Sequence, residues 1–313
     1  MQIIRIGTRG SALAIRQTEI VEKCIKEKYP EVIFERKIIK TTGDIRTDVP
    51  LADNGGKGLF ISEIEKELLS GNIDIAVHSA KDLPSLTEEP FEIAGVLPRA
   101  NPKDVFIVLK NPKNEIALKA YDYLQCGNSS QSENFDGLTI GTSSPRREEL
   151  IKRLLPGVKT VLLRGNVNTR IQRLKEGVCD ATLLAAAGIE RLGQNLDTSD
   201  IQICELDVNK MIPGACQGII AVESLIGSEA SKIIRNINDE STKIIFDVQR
   251  KIMNYLDADC HDAAGVYAYY KNELKDTIGV YLFYKDSEIF AFDISECDSD
   301  DAIKRKIDDI GIK

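Results

Sequence analysis

This chain of 313 residues has two histidines, no Cys-x-x-Cys pair and no apolar run approaching twenty residues. The first two shortages argue against a zinc site, whose ligand sets draw on paired cysteines and histidines. The third excludes a membrane-spanning helix, which needs about 20 consecutive apolar residues. The start, "MQIIRIGTRG", lacks the basic-then-apolar pattern of a signal peptide, so the cytoplasm is the expected location. Seven scattered cysteines, an odd number, make disulfides unexpected. Also missing are a GxxxxGK(S/T) loop and a GxGxxG following a strand, so no nucleotide site is indicated.

Against these absences stands an unequal distribution of charge. The formal net charge is -8, yet the stretch from Ile140 to Lys175 carries nine Lys or Arg and only two Glu, with no aromatic residue among them. An acidic chain with pI near 5.1 repels a long polyanion, so nucleic acid is not the expected partner. A small, multiply charged anion fits better. A hydrophobic fraction of 42% suffices for buried cores, and the length suggests roughly two domains at about 150 residues each.

Two segments share one design. "IIRIGTRGSALAIRQTEIVEKC" reads as strand, tight turn and helix, with Leu13, Ile20, Val21 and Cys24 at helical spacing. "LTIGTSSPRREELIKRLLP" repeats it, with Pro145 in the favoured first helical position. A second echo pairs "GNIDIAVHSAKDLP" with "GVCDATLLAAAGIERL", where a Gly-x-x-Asp turn at Gly71 and Gly177 leads into a buried strand. These echoes predict two similar α/β domains. The first is longer, and part of its excess, "RTDVPLADNGGKGLF", reads as a glycine-interrupted lid. Pro98 and Pro102 fall between the domains, and "NSSQSENFDG" reads as a polar, disordered surface insertion. Beyond "PGACQGIIAVE", an amphipathic helix through Ile244, Ile245, Val248 and Ile252 precedes alternating runs, "TIGVYLFY" and "EIFAFDI". These predict a small antiparallel third domain with a closing helix near residues 302–310.

Backbone N-H groups at a helix start, with hydroxyls beside them, bind anions. Thr8 to Ser11 and Thr142 to Ser144 have that placement, although Ser11 and Ser144 also suit plain helix capping. Arg146 and Arg147 occupy a first helical turn, where acidic residues are preferred, which points to a bound anion. Arg164 and Arg170 flank a Gly-Asn turn, and converging guanidinium forks suit a ligand with several carboxylates. Arg173 and Lys175 read as solvated helix charges. A strand also runs into His78, Ser79, Lys81 and Asp82 at the end where open α/β sheets bind ligands. Asp82 is the best acid-base candidate, with capping of the next turn as its structural alternative; His78 suits a structural hydrogen bond. Cys260 lies in a loop, "YLDADCHDAAG", as a nucleophile, an attachment point or an ordinary free thiol.

Taken in order, "IGTRGSALAIRQ", "GGKGLFISEIEKELLSGNIDIAVHSAKDLP", "IGTSSPRR", "LRGNVNTR", "LAAAGIERL" and "PGACQGIIAVE" resemble the hydroxymethylbilane synthase (porphobilinogen deaminase) family along nearly the whole chain. The resemblance implies two lobes like those of a periplasmic binding protein plus a small α+β C-terminal domain. Residues 1–100 with 214–237 would form the first lobe, 103–212 the second, and 241–313 the third domain. It implies a transferase that joins four porphobilinogens head to tail, losing ammonia each time, on a dipyrromethane cofactor held by thioether to Cys260. It also implies a monomer with a small-molecule substrate, no nucleic acid and no membrane.

In the first lobe the resemblance assigns cofactor and substrate carboxylates to Arg9, Ser11 and Lys81, with Ser79 beside them. In the second it assigns them to Thr142, Ser143, Ser144, Arg146, Arg147, Arg164, Arg170 and Arg191. Asp82 would act on the pyrroles, Lys57 and Phe60 belong to the lid, and Gln17 and Gln217 flank the cleft. No metal is implied. The chain departs from the family's Gly-Gly-Cys-x-x-Pro-like loop, since Ala258 and Asp259 precede Cys260 and "HDAAG" comes after it. Asp259 is therefore expected to reorient Cys260 or to add a charge beside the cofactor. Two alternatives remain at this point. One is a two-lobed solute-binding or sensing module without chemistry, and the other a family member impaired by its altered cysteine loop.

Overall fold

The computed structural model describes residues 3–40, 62–126, 133–259, 261–295, 298 and 300–312. The lid stretch from residue 46 to 60, with Lys57 and Phe60, and the cofactor candidate Cys260 lie outside the described residues, as does part of the polar insertion. The chain divides into two compact units, residues 1–100 with 216–259 and residues 101–215 with 260–313.

In the first unit, β1 (Ile3–Thr8), β2 (Ile33–Ile38), β3 (Ile75–Ser79) and β4 (Phe91–Val96) combine with the distant β10 (Ile220–Leu225) in the order β2-β1-β3-β10-β4. β10 runs antiparallel to both neighbours. The second unit holds β5 (Asp104–Leu109), β6 (Thr139–Thr142), β7 (Lys159–Leu162), β8 (Ala181–Ala185) and β9 (Ile201–Glu205) in the order β7-β6-β8-β5-β9, with β5 antiparallel to its neighbours. Both sheets therefore share one topology, with a single antiparallel strand in fourth place. A three-stranded antiparallel sheet, β11 (Ala264–Tyr270), β12 (Thr277–Tyr284) and β13 (Phe290–Ser295), completes the second unit.

The repeat has a physical basis. The Asp74 carboxylate accepts the Arg5 backbone N-H, and the Asp180 carboxylate accepts that of Thr139, both at 2.8 Å. Gly71 (φ 62°) and Gly177 (φ 79°) take the left-handed conformation that makes each turn, where glycine is favoured. A Cβ on Gly7 would lie 2.4 Å from Ile73, and one on Gly141 would lie 2.7 Å from Cys179, each the residue before the aspartate. The Gly-Thr and Gly-x-x-Asp motifs are two halves of one close contact.

Helices cover both sheets. On the first, α1 (Ala12–Lys28) buries Val21 and Ile25 against Ile6, Ile75 and Val222, with Ile233 and Ile234 of a later helix in the same core. α2 (Ser62–Leu69) packs Ile64 and Leu68 on Ile73 and Ala76 in a separate cluster. The second unit adds α3 (Ile116–Cys126), α4 (Pro145–Leu154), α5 (Val167–Lys175) and α6 (Ala186–Leu192), with Ala117, Leu150 and Ile151 in a core shared with Phe283 of β12. Phe135, which lies in the stretch read as a surface insertion, is fully buried in this core and meets Tyr123 edge-on. α7 (Glu229–Asn236) is the helix that carries Ile233 and Ile234, and α8 (Glu240–Tyr255) comes next. α8 does not open the C-terminal sheet's own core: Phe246 is fully buried with Ala80, Val96, Ile219 and Ala221 of the first unit. α9 (Asp300–Asp309) is the closing helix, and it buries Ile303 and Ile307.

Candidate functional site

Each unit presents a strand end followed by a capped helix. In the first, Ser11 is the N-cap of α1, and its hydroxyl accepts the Ala14 N-H at 3.2 Å. Gln17, further along the helix, is buried and exchanges hydrogen bonds with Ser79 at the end of β3, at 2.9 and 3.1 Å. Arg9 is half-buried beside them in sequence. β3 gives way to a single 3-10 turn, Ala80–Asp82, anchored where the Ala80 N-H donates to the Ile219 carbonyl at 3.0 Å. Lys81 is half-buried, whereas the Asp82 side chain is exposed. No described residue donates a hydrogen bond to the Asp82 carboxylate, so it does not cap the following turn. Gln217 sits in the neighbouring turn, 1% exposed, with its backbone carbonyl accepting Arg99 Nε at 2.9 Å. His78 faces a buried partner, Glu223, at 3.0 Å, which is the structural hydrogen bond expected of it.

The second unit repeats the cap. Ser144 accepts the Arg147 N-H at 3.5 Å, Pro145 is the first helical residue, and Thr142 is buried at the end of β6. Arg170 on α5 reaches back, with Nη2 donating to the Ser143 hydroxyl at 3.2 Å and Nε to the Gly165 carbonyl at 2.8 Å. Arg164 is half-buried after β7. Arg191 lies in the last turn of α6, where burial pulls its guanidinium down to about 10 against the opposing pull of Glu190, so it stays charged at neutral pH. Lys175 pairs with Asp197 at 2.6 Å, in keeping with a solvated helix charge.

Arg146 and Arg147 differ from the rest. Both are 4% exposed, and both grip the wholly buried carboxylate of Asp104 at 2.7 Å. Arg147 also places Nε 3.1 Å from Asp104 and donates Nη1 to the Leu183 carbonyl at 3.0 Å. Arg146 donates to the Ile212 carbonyl, and burial pushes its guanidinium below its ordinary range while Asp104 opposes that shift. The anion implied by two cations in a first helical turn is thus, at least in part, internal. Sequence reasoning missed Asp104, which stands 42 positions before Arg146; its one signal was an acidic residue opening an apolar strand, "DVFIVL". Among the described ion pairs one carboxylate meets two guanidiniums here, an arrangement that suits a further anion.

That trio sets a stability prediction. Asp104→Asn strands two buried cations, and we expect it to lower unfolding free energy by about 3–5 kcal/mol in urea titration. A loss under about 1 kcal/mol would show that the guanidiniums are neutralised elsewhere.

Among the described residues before Cys260, Asp257 is left-handed (φ 47°), and the buried Ala258 donates its N-H to the Met253 carbonyl at 3.0 Å. Neither Ala258 nor Asp259 has a positive φ. The glycines absent from these two positions are therefore not needed for a left-handed backbone there, and Asp tolerates that region at 257. No group of His, Cys, Asp and Glu suited to a metal occurs among the described residues. No helix among them is long and apolar enough to cross a membrane.

Residues 4–232 match the family described as porphobilinogen deaminase, dipyromethane cofactor binding domain. A probable porphobilinogen deaminase of Methanocella arvoryzae is 39% identical over 265 residues, 85% of this chain and 80% of that protein. The porphobilinogen deaminase of Syntrophobacter fumaroxidans is 37% identical over 270 residues, 86% of this chain and 80% of its own length. That of Rickettsia conorii is 38% identical over 269 residues, covering 85% and 71%. Among solved structures, the periplasmic VFT2 domain of Bordetella pertussis BvgS aligns with a TM-score of 0.43 and 14% identity, covering 78% of this chain and 92% of that one. The probable amino-acid ABC transporter extracellular-binding protein YtmK of Bacillus subtilis gives 0.41 and 16%, covering 81% and 96%.

Proposed function

We propose, from the premise that this chain belongs to the porphobilinogen deaminase family, that it joins four porphobilinogens head to tail with loss of ammonia and releases hydroxymethylbilane. It is a transferase of tetrapyrrole biosynthesis, and its cofactor is dipyrromethane. The observation that carries the reading is the 39% identity over 85% of the chain, which the solute-binding alternative does not share. Cys260 is the attachment point, the second lobe holds cofactor carboxylates, and the chain works as a cytoplasmic monomer.

The residues present fit such a group. Every pyrrole brings an acetate and a propionate, and the second unit offers two buried guanidiniums sharing one carboxylate at Arg146 and Arg147, the Ser143–Arg170 pair and a charged Arg191. When bound, dipyrromethane supplies the pyrrole carbon to which the first substrate ring is joined. Arg164, Arg170 and Arg191 bind ring carboxylates, and Thr142, Ser143 and Ser144 add hydroxyl and backbone donors at the helix start. In the first unit Arg9, Ser11 and Lys81 do the same for incoming substrate. Asp82 accepts the pyrrole N-H, and its negative charge stabilises the cation that develops as ammonia departs.

The test is stoichiometric. Purified protein has an intact mass two pyrrole units above that of the sequence, and it releases four ammonia molecules per tetrapyrrole formed. Protein of unmodified mass that binds porphobilinogen without releasing ammonia would return the chain to the solute-binding reading. A single peak at the mass of one chain in native mass spectrometry checks the monomer.

A further inference from the structure

The turn that carries Asp82 is anchored at its first residue, where the Ala80 N-H donates to the Ile219 carbonyl at 3.0 Å. Its internal backbone bond is Leu83 N-H to the Ala80 carbonyl at 3.2 Å, and the Asp82 side chain is held by no described residue. The segment after the turn is gripped by one side chain from far along the chain. Arg250 of α8 donates Nη2 to the Pro84 carbonyl at 2.7 Å and to the Thr87 hydroxyl at 2.9 Å, and Nε to the Ser85 carbonyl at 3.1 Å. Its guanidinium lies 5.1 Å from the centre of the Phe246 ring, and Phe246 packs in the same core as Ala80, the first residue of the turn.

The adjacent residue completes the grip. Gln249 is fully buried and accepts the Cys216 N-H at 3.2 Å, which holds the turn leading to Gln217, while its amide donates to the Ile245 carbonyl at 2.8 Å. The Ala80 N-H in turn donates to Ile219, at the far side of that second turn. One turn of α8 thus fixes both segments that flank Asp82, through contacts within the first unit alone.

We propose that Arg250 is a positioning residue for the Asp82 carboxylate. The planar fork satisfies three acceptors at once, and residues 84–87 cannot shift without breaking charge-assisted hydrogen bonds. Leu83 alone separates Asp82 from this clamp. A carboxylate that must meet a pyrrole N-H tolerates little displacement, since an error near 1 Å costs about 100-fold in rate. The proposal rests on the reading of Asp82 as the acting carboxylate.

A double-mutant cycle separates the two claims. Arg250→Lys, Asp82→Asn and the double variant are purified in cofactor-loaded form and compared for kcat, KM and intact mass. Arg250→Lys keeps the charge but not the fork. We expect its kcat to fall by about 10- to 100-fold with KM within about twofold and loading unchanged. Amide exchange across residues 83–87 should quicken by about tenfold or more. In the Asp82→Asn background the same substitution should change kcat by less than about twofold. A full additional loss in that background, or an effect confined to KM, overturns the positioning role and leaves Asp82 standing. Normal turnover of loaded Asp82→Asn overturns the catalytic reading and this proposal with it. If Arg250→Lys does not fold, Thr87→Val removes one acceptor; a kcat loss of about threefold that vanishes with Asp82→Asn supports the clamp, and no loss refutes it.

Discussion

Asp82→Asn lowers turnover by at least about 100-fold while leaving folding, cofactor loading and substrate binding largely intact, if the carboxylate supplies charge stabilisation to the departing ammonia's carbon. The structure supports the separation of these effects. Asp82 is exposed and free of described side-chain partners, so the change from carboxylate to amide breaks no internal ion pair and creates no cavity. Thermal unfolding should therefore move little, in contrast with Asp104→Asn. Single-turnover measurement on protein of verified mass is the appropriate check. A loaded variant that turns over at near the parent rate would remove Asp82 from the chemistry and direct attention to Lys81.

Cys260→Ala yields a folded protein of unmodified mass with no measurable turnover. The family's motif position argues for this residue, and the surroundings of four other thiols argue against them. Burial raises the thiols of Cys24 and Cys204, and pushes Cys179 up to about 11 and Cys216 up to about 12, which disfavours the thiolate at all four. The thiolate is the nucleophile that forms a thioether with an electron-poor pyrrole carbon. Peptide mapping of the parent protein should find the added mass on the fragment containing "DADCHDAAG". Asp259→Gly should preserve attachment, because Asp259 itself does not have a positive φ and its side chain is not required by the backbone there. Adduct on the exposed Cys126, or on any thiol but Cys260, would break the assignment at its central residue.

How much of this was legible in the sequence depends on the range of the interaction. The two α/β lobes were visible because their motifs are local backbone requirements: a left-handed turn at Gly71 and Gly177, a cap at Ser11 and Ser144, and no room for a side chain at Gly7 and Gly141. The helix and strands near the C-terminus were visible through their periodicity. Phe135 was misread because a polar neighbourhood dominates a short window, while one aromatic side chain reaching a core does not.

The sequence by itself determined the fold class, the repeat, the strand-end hydroxyls and arginines, and the motifs that mark the family. Tertiary structure alone decided three further matters. It brought Asp104 between Arg146 and Arg147, set α8 against the first sheet, and placed β10 and β5 as the antiparallel strands of their sheets. The physical reason is common to all three. Each pairs residues tens to more than a hundred positions apart, where neither hydrophobic period nor turn chemistry carries information about the partner, and only the closing of the chain into a packed core selects it.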